Sequence, residues 1–226
     1  MRLTNQIDFQ NVEALSRQLR AVKVSRERFS LEISEKDACN GIYSAMKAVV
    51  EYRGREFVFD ADTKRHIQAA AKWLIDPCGT PGLLLCGLCG NGKTSLAQAI
   101  NWLVGLVTEK EYGYSKRKHF ELYTAKNICR IFVKKGSEYD DACKTDMLII
   151  DDLGEEPREV IDYGQPHTPI IDMIHERYEM QRLTIITTNL EADDLREKYG
   201  VRVYDRLREM VTSIIFENES YRGRKT

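Results

Sequence analysis

Gly87-Leu88-Cys89-Gly90-Asn91-Gly92-Lys93-Thr94 fits G-x-x-x-x-G-K-[ST], the phosphate-cradling Walker A pattern. The apolar run Leu83-Leu84-Leu85-Cys86 stands before it and reads as a buried strand. Helical spacing follows from Ser95 to about Val107. A glycine turn between a strand and a helix would satisfy the same text, but the strand–loop–helix context gives it a mechanism. The N–H groups of Gly90, Asn91 and Gly92 point inward only at backbone angles that glycine permits. They then form a nest for phosphates at the positive end of the helix. In that reading Lys93 reaches the β- and γ-phosphates of ATP, and the Thr94 hydroxyl binds Mg²⁺. Gly87 and Ser95 flank the loop and complete the candidate nucleotide-binding set.

A second motif lies downstream. Met147-Leu148-Ile149-Ile150-Asp151-Asp152 is an apolar strand ending in two carboxylates, a Walker B pattern. Carboxylates at the C-terminal end of a buried parallel strand emerge where such sheets bind ligands. Asp151 is the candidate Mg²⁺ partner, directly or through water. Asp152 is the candidate that orients or deprotonates the attacking water. A pair of aspartates also closes many buried strands as a simple turn; the Walker A stretch upstream selects the functional reading.

The chain has 226 residues, 42% hydrophobic and 31% charged, the balance of a globular protein. That length accommodates one sizeable domain and a small appendage. No run is long and apolar enough to span a membrane, and Met1-Arg2-Leu3-Thr4-Asn5-Gln6 has no apolar signal core, so a cytoplasmic location is expected. Cys86 and Cys89 are spaced C-x-x-C without a matching second pair, which argues against zinc; all six cysteines are read as reduced thiols. The net charge of −1 excludes a globally basic nucleic-acid binder. Basic residues cluster from Lys110 to Lys118 and in the C-terminal tail; on charge alone a solvated face is the favoured reading of both.

Residues 1–55 lack strand alternation. Helical spacing appears from Asn11 to Val24 and from Ala38 to Val50, with Ile42, Ala45, Met46 and Val49 in step. They are expected to form a small helical accessory region whose apolar faces pack on the main domain or on a partner. Glu56 to Asp60 leads into a helix over Lys64–Ile75. Phe120–Tyr123 is a strand, Ala125–Lys135 a helix stopped by Gly136, and Leu153–Pro157 an acidic turn. A loop follows, containing Gly164, Pro166 and Pro169. Ile170–Met180 is a helix, Leu183–Asn189 a buried strand, Ala192–Lys198 a helix and Ile214–Phe216 a last strand. Alternating strands and helices give an α/β fold, a parallel sheet with helices on both faces. Asn189 ends a buried strand, where its amide suits either the attacking water or γ-phosphate, or an Asx turn. Arg202, Arg206 and Arg208 exceed what solubility requires; Arg206 suits either surface ion pairs or a neighbouring subunit's γ-phosphate.

Together, Gly87–Thr94, Leu148–Glu156, Ile185–Leu190, Tyr199–Met210 and Ser220–Arg222 resemble the motif set of the DnaC/IstB-type AAA+ ATPases, which are helicase loaders and transposition helpers. The Asp-Asp-Leu-Gly-x-Glu, Thr-Thr-Asn-Leu, Tyr-Asp-Arg-Leu and Ser-Tyr-Arg strings stand in that family's order. The resemblance covers about residues 56–224 and implies an AAA+ P-loop ATPase domain over 56–226, without a full C-terminal helical lid. It implies that Asn189 is sensor 1, that Arg206 is an arginine finger acting between subunits, and that Arg222 holds a sensor-2-like position. It implies ATP and Mg as cofactors, an ATP-dependent homo-oligomer, and a replicative helicase or a transposase as partner, with single-stranded DNA bound in the assembled form.

Overall fold

The computed structural model describes residues 11–14, 16–17 and 28–221. The helix expected over Asn11–Val24 lies mostly outside the described residues; residues 12–14 and 16–17 are helical. The first full helix, α1, spans Glu35–Tyr52, and Ser34 caps it by accepting the Asp37 N–H. Its apolar face, Ala38, Ile42, Met46 and Val49, is buried. Asp60 caps α2 (Ala61–Ile75) in the same way, through the Thr63 N–H at 2.9 Å. Arg28 anchors the chain ahead of α1, donating to the backbone carbonyls of Trp73, Asp76 and Thr80.

Strand β1 (Gly82–Gly87) runs into the glycine loop and then α3 (Lys93–Tyr112). Next come β2 (Glu121–Thr124), α4 (Ala125–Val133), α5 (Glu138–Lys144) and β3 (Met147–Leu153). A hairpin, β4 (Val160–Asp162) and β5 (Gln165–His167), precedes α6 (Pro169–Glu179) and β6 (Leu183–Thr188). The chain then forms α7 (Ala192–Tyr199), α8 (Val201–Met210) and β7 (Val211–Phe216). The main sheet has five parallel strands in the order β2-β3-β6-β1-β7.

Period-2 alternation sends neighbouring residues of each strand to opposite faces. Leu83, Leu85, Ile149 and Ile185 pack with α1, α2 and α3, joined by Ile42, Leu74 and Ile100. Leu84, Leu148, Ile150 and Ile186 pack on the other face with Ile128, Met173, Leu195 and Leu207. Both faces are covered, so the strands read as near-continuous apolar runs. Among the described residues no helix is long and apolar enough to cross a membrane, and none follows β7.

Two segments differ from the sequence reading. The stretch read as a loop around Gly164 contains the antiparallel hairpin, with Val160 opposite His167. Tyr163 and Gly164 take positive φ values of 46° and 78°, as a two-residue hairpin turn requires. Helix α5 was not anticipated. Helix α4 ends at Val133, short of Gly136, with Lys135 rather than the glycine in the left-handed region at φ 57°; Glu138, Asp140 and Asp141 then favour a new helix N-terminus and Lys144 its C-terminus.

The entrances of β3 and β6 are tied together by Arg177, a fully buried arginine on α6. It donates to the Thr184 hydroxyl at 2.8 Å and to the carbonyls of Leu183 at 2.8 Å, Thr145 at 2.9 Å, Cys143 at 3.3 Å and Ala142 at 3.4 Å. Burial, with the like charge of Arg182 second, pushes its pKa down to about 9, which still leaves the guanidinium charged at neutral pH. Replacing Arg177 by Met leaves these acceptors without their donor. Equilibrium urea unfolding is expected to show a loss of about 3 kcal/mol or more. Arg177→Lys should recover little, because an ammonium cannot span the same fork of acceptors. An unmoved midpoint in Arg177→Met would mean that the network contributes nothing to stability.

Candidate nucleotide site

The C-terminal ends of β1, β3 and β6 meet at one edge of the sheet and deliver the sequence-predicted residues to one place. Gly87 closes β1 with φ 148°. A Cβ there would lie 2.4 Å from the Phe216 carbonyl oxygen, so glycine permits the loop to cross the end of β7. Gly92 takes φ 105° at the start of α3, the left-handed conformation that turns the loop into the helix.

Lys93 opens α3 and is 5% exposed. Its Nζ donates to the carbonyls of Gly87 and Leu88 at 2.6 and 2.7 Å, to Asn91 Oδ1 at 3.1 Å and to Asn189 Oδ1 at 2.9 Å. Burial lowers its pKa; Cys89, Cys86, Asp152 and Asp151 oppose the shift. The cation is thus desolvated beside the loop, where an anion gains most from it. Asn189, the end of the predicted strand, faces the same amine.

Asp151 is buried and accepts from Thr94 Oγ1 at 2.8 Å and from Thr187 Oγ1 at 2.7 Å. Thr187 in turn accepts the Asp152 N–H at 2.9 Å. Sequence reading passed over Thr187, whose hydroxyl locks the two aspartates to β6; its signal was the Thr-Thr-Asn string. Asp152 has φ 56°, and the β3–β6 register shifts between Ile150 and Leu153. That bulge turns Asp152 out of the strand and into the cavity, a strained geometry of the kind that clusters at functional sites.

The cavity has a volume of about 630 Å³. Glycine-loop residues, Asp152 and Asn189 line one side. The rest of the lining, unforeseen from the sequence, comes from the C-terminal end of α1 and the segment after it, including Met46, Val50, Arg53 and Phe57. Tyr221 closes the rim. Its N–H donates to the Gly90 carbonyl at 3.0 Å and its hydroxyl donates to the Asp60 carboxylate at 2.9 Å. Asn91 Nδ2 donates to the Phe216 carbonyl at 3.1 Å. The last residue of β7 and Tyr221 beyond it thereby both bond to the loop. Arg222 lies outside the described residues.

Arg206 does not line this cavity. It sits on α8, 3.0 Å from the Glu179 carboxylate and over the Tyr178 ring. The acidic turn after β3 divides its two glutamates between solvent and interior. Glu155 faces solvent, whereas Glu156 is buried, accepting from the Gly154 N–H at 2.9 Å and the Tyr199 hydroxyl at 2.5 Å, with Lys198 at 3.3 Å. These contacts pin the turn after the aspartates to α7.

The residues fit Mg²⁺. Thr94 and Asp151 present a hydroxyl and a carboxylate oxygen side by side, the hard oxygen donors that this ion prefers. Among the described residues no group of three or more His, Cys, Asp or Glu gathers to hold a metal. A cation here therefore needs phosphate oxygens and water to complete its shell.

Thr187→Val tests the hydroxyl bridge. It leaves the Asp152 N–H unpaired and removes a bond to Asp151. A loss of about 1–3 kcal/mol is expected in thermal or urea unfolding, with Thr187→Ser close to the parent. Equal stability of all three proteins would show that the bridge is not needed to hold the aspartates.

No protein-family model and no curated protein matches the chain. Solved structures do match. A DnaC helicase loader aligns with TM-score 0.56 and 19% identity, over 78% of this chain and 98% of that one. A primosome component assigned in Streptococcus pyogenes serotype M3 aligns with TM-score 0.51 and 22% identity, over 74% and 85%. AMPPCP-bound DnaA from Aquifex aeolicus aligns with TM-score 0.51 and 18% identity, over 72% of this chain and 49% of that one. At these identities the likeness is one of fold: the chain shares with these structures an α/β core, a five-stranded parallel sheet with helices on both faces.

Proposed function

We propose that this chain binds Mg·ATP, hydrolyses it slowly, and uses ATP as a switch on self-assembly, in the manner of a helicase loader of the DnaC/IstB-type AAA+ family. One observation carries the reading: the Thr94–Asp151 oxygen pair stands at the mouth of a glycine loop that also holds the desolvated Lys93 amine. The fold neighbours, among them a helicase loader and a primosome component, support a place in DNA replication. A replicative helicase and single-stranded DNA are the partners that follow from this reading.

The chemistry is the attack of water on the γ-phosphorus, with the β–γ bridging P–O bond breaking to release ADP and phosphate. The backbone N–H groups of the loop hold the phosphate chain, and Lys93 exchanges its carbonyl acceptors for phosphate oxygens. Thr94 and Asp151 hold the magnesium, which supplies neutralisation of phosphate charge. Asp152 takes or orients the proton of the attacking water, and Asn189 fixes that water from the other strand. Arg206 of one copy reaches the γ-phosphate held by the next and stabilises charge in the transition state.

The test separates binding, turnover and assembly. Lys93→Ala is expected to lose nucleotide affinity at least about tenfold. Asp152→Asn should keep that affinity while turnover falls about 10²- to 10⁴-fold. Arg206→Ala should bind ATP normally yet lose both about 10³-fold in turnover and the ATP-dependent rise in mass seen by light scattering. Unchanged hydrolysis in Asp152→Asn would sink the role given to that carboxylate. A constant mass with and without ATP and single-stranded DNA would remove the arginine between subunits. Growth only on duplex DNA would point to a transposition helper instead.

A further inference from the structure

The cavity lining carries a cation that the chemistry above does not use. Arg53 follows the last turn of α1 and lines the cavity with Val50, Gly54 and Arg55. Its Nη2 donates to Gln98 Oε1 at 2.8 Å and its Nη1 to Ser95 Oγ at 3.4 Å, both on α3. Both partners are neutral oxygens, so neither compensates the guanidinium charge.

We propose that Arg53 is a nucleotide-binding residue. It grips the phosphate chain within its own subunit, on the α-phosphate side and away from the bond that is hydrolysed. The inference rests on the ATP-binding reading and extends it to the N-terminal helix.

Three observations place it there. The groups that mark the γ-phosphate end are gathered around Lys93 Nζ, which contacts Asn189, and around Thr94, which contacts Asp151. Arg53 bonds to neither cluster. Its partners Ser95 and Gln98 follow Lys93 along α3, in the first two turns of the helix whose N-terminal amides hold phosphate. Second, α1 ends at the cavity, and a helix C-terminus carries partial negative charge that opposes an anion. The last-turn carbonyls of Val50 and Glu51 accept the N–H groups of Arg53 and Gly54. Arg53 and Arg55 stand just after that terminus; with Glu56 also lining the cavity, the side chains there leave one net positive charge to offset the helix end. Third, a guanidinium presents a planar fork that matches two phosphate oxygens, and exchanging Ser95 and Gln98 for them gains a charge-assisted pair.

The experiment is a titration of the full chain with mant-ATP and mant-ADP, followed by fluorescence, for the parent, Arg53→Met, Arg53→Lys and Lys93→Ala. Thermal melting without nucleotide checks that Arg53→Met folds like the parent. Arg53→Met is expected to weaken ADP and ATP alike, by about ten- to hundredfold, leaving their ratio unchanged. Arg53→Lys should recover part of the loss and show the same ratio. Affinities of Arg53→Met and Arg53→Lys equal to the parent would overturn the proposal while leaving the ATP-binding reading intact. A loss confined to ATP would place Arg53 at the γ-phosphate and overturn the assignment of position. A parent protein that binds neither nucleotide would sink both readings together.

Discussion

Burial of β1, β3 and β6 on both faces is the constraint on which the rest of the structure depends. A parallel strand covered on both sides must be apolar along its length, because buried backbone is satisfied by its neighbours while buried side chains are not. Leu83–Leu85, Met147–Ile150 and Ile185–Ile186 obey this. Apart from Thr184, which Arg177 satisfies at the entrance of β6, each strand changes character at its C-terminal end: Gly87 and the loop beyond it, Asp151-Asp152, and Thr187-Thr188-Asn189. The register brings those ends level, with Leu84 beside Ile186 and Ile186 beside Ile150. A polar crevice at one edge of the sheet is the geometric result.

Polar groups in that crevice are buried enough that each must find a partner. Asp151 satisfies one oxygen twice, through Thr94 and Thr187, which binds the glycine-loop helix, β3 and β6 through a single carboxylate. Lys93 is held by backbone carbonyls and by Asn189 rather than by a carboxylate. A lysine in a tight ion pair would have to break that pair to meet a phosphate. One resting on carbonyls exchanges weaker bonds for a stronger one. At the opposite edge of the sheet Arg177 plays the structural counterpart, a buried cation whose donors are taken up by carbonyls and a hydroxyl. Both cations are paid for by hydrogen bonding, but only Lys93 borders a cavity able to receive a ligand.

Segments distant in the chain complete the cavity. The end of α1 supplies one wall, and Tyr221 joins the glycine loop to the N-cap aspartate of α2. The Tyr221 contacts reach back across the chain to Asp60 and Gly90. Helix α1 packs into the same core as α3, through Ala38, Ile42 and Met46.

The sequence by itself determined what is local. The Walker A and Walker B strings, the apolar strands and most helices are legible because period, glycine placement and terminal carboxylates act over a few residues. Its limits are equally physical. Glu155 and Glu156 are identical in type, and only the approach of Tyr199 and Lys198 decides which one is buried. Gly164 signals a turn, but the pairing of Val160 with His167 is what makes it a hairpin. Thr187 looks like an ordinary strand residue until the bulge in β3 sets Asp152 against it. The amphipathic pattern of α1 announces a buried face without saying what it covers. That the end of α1 borders the cavity, with Arg53 beside Ser95, is decided by tertiary packing alone, because hydrophobic burial is non-directional and names no partner in advance.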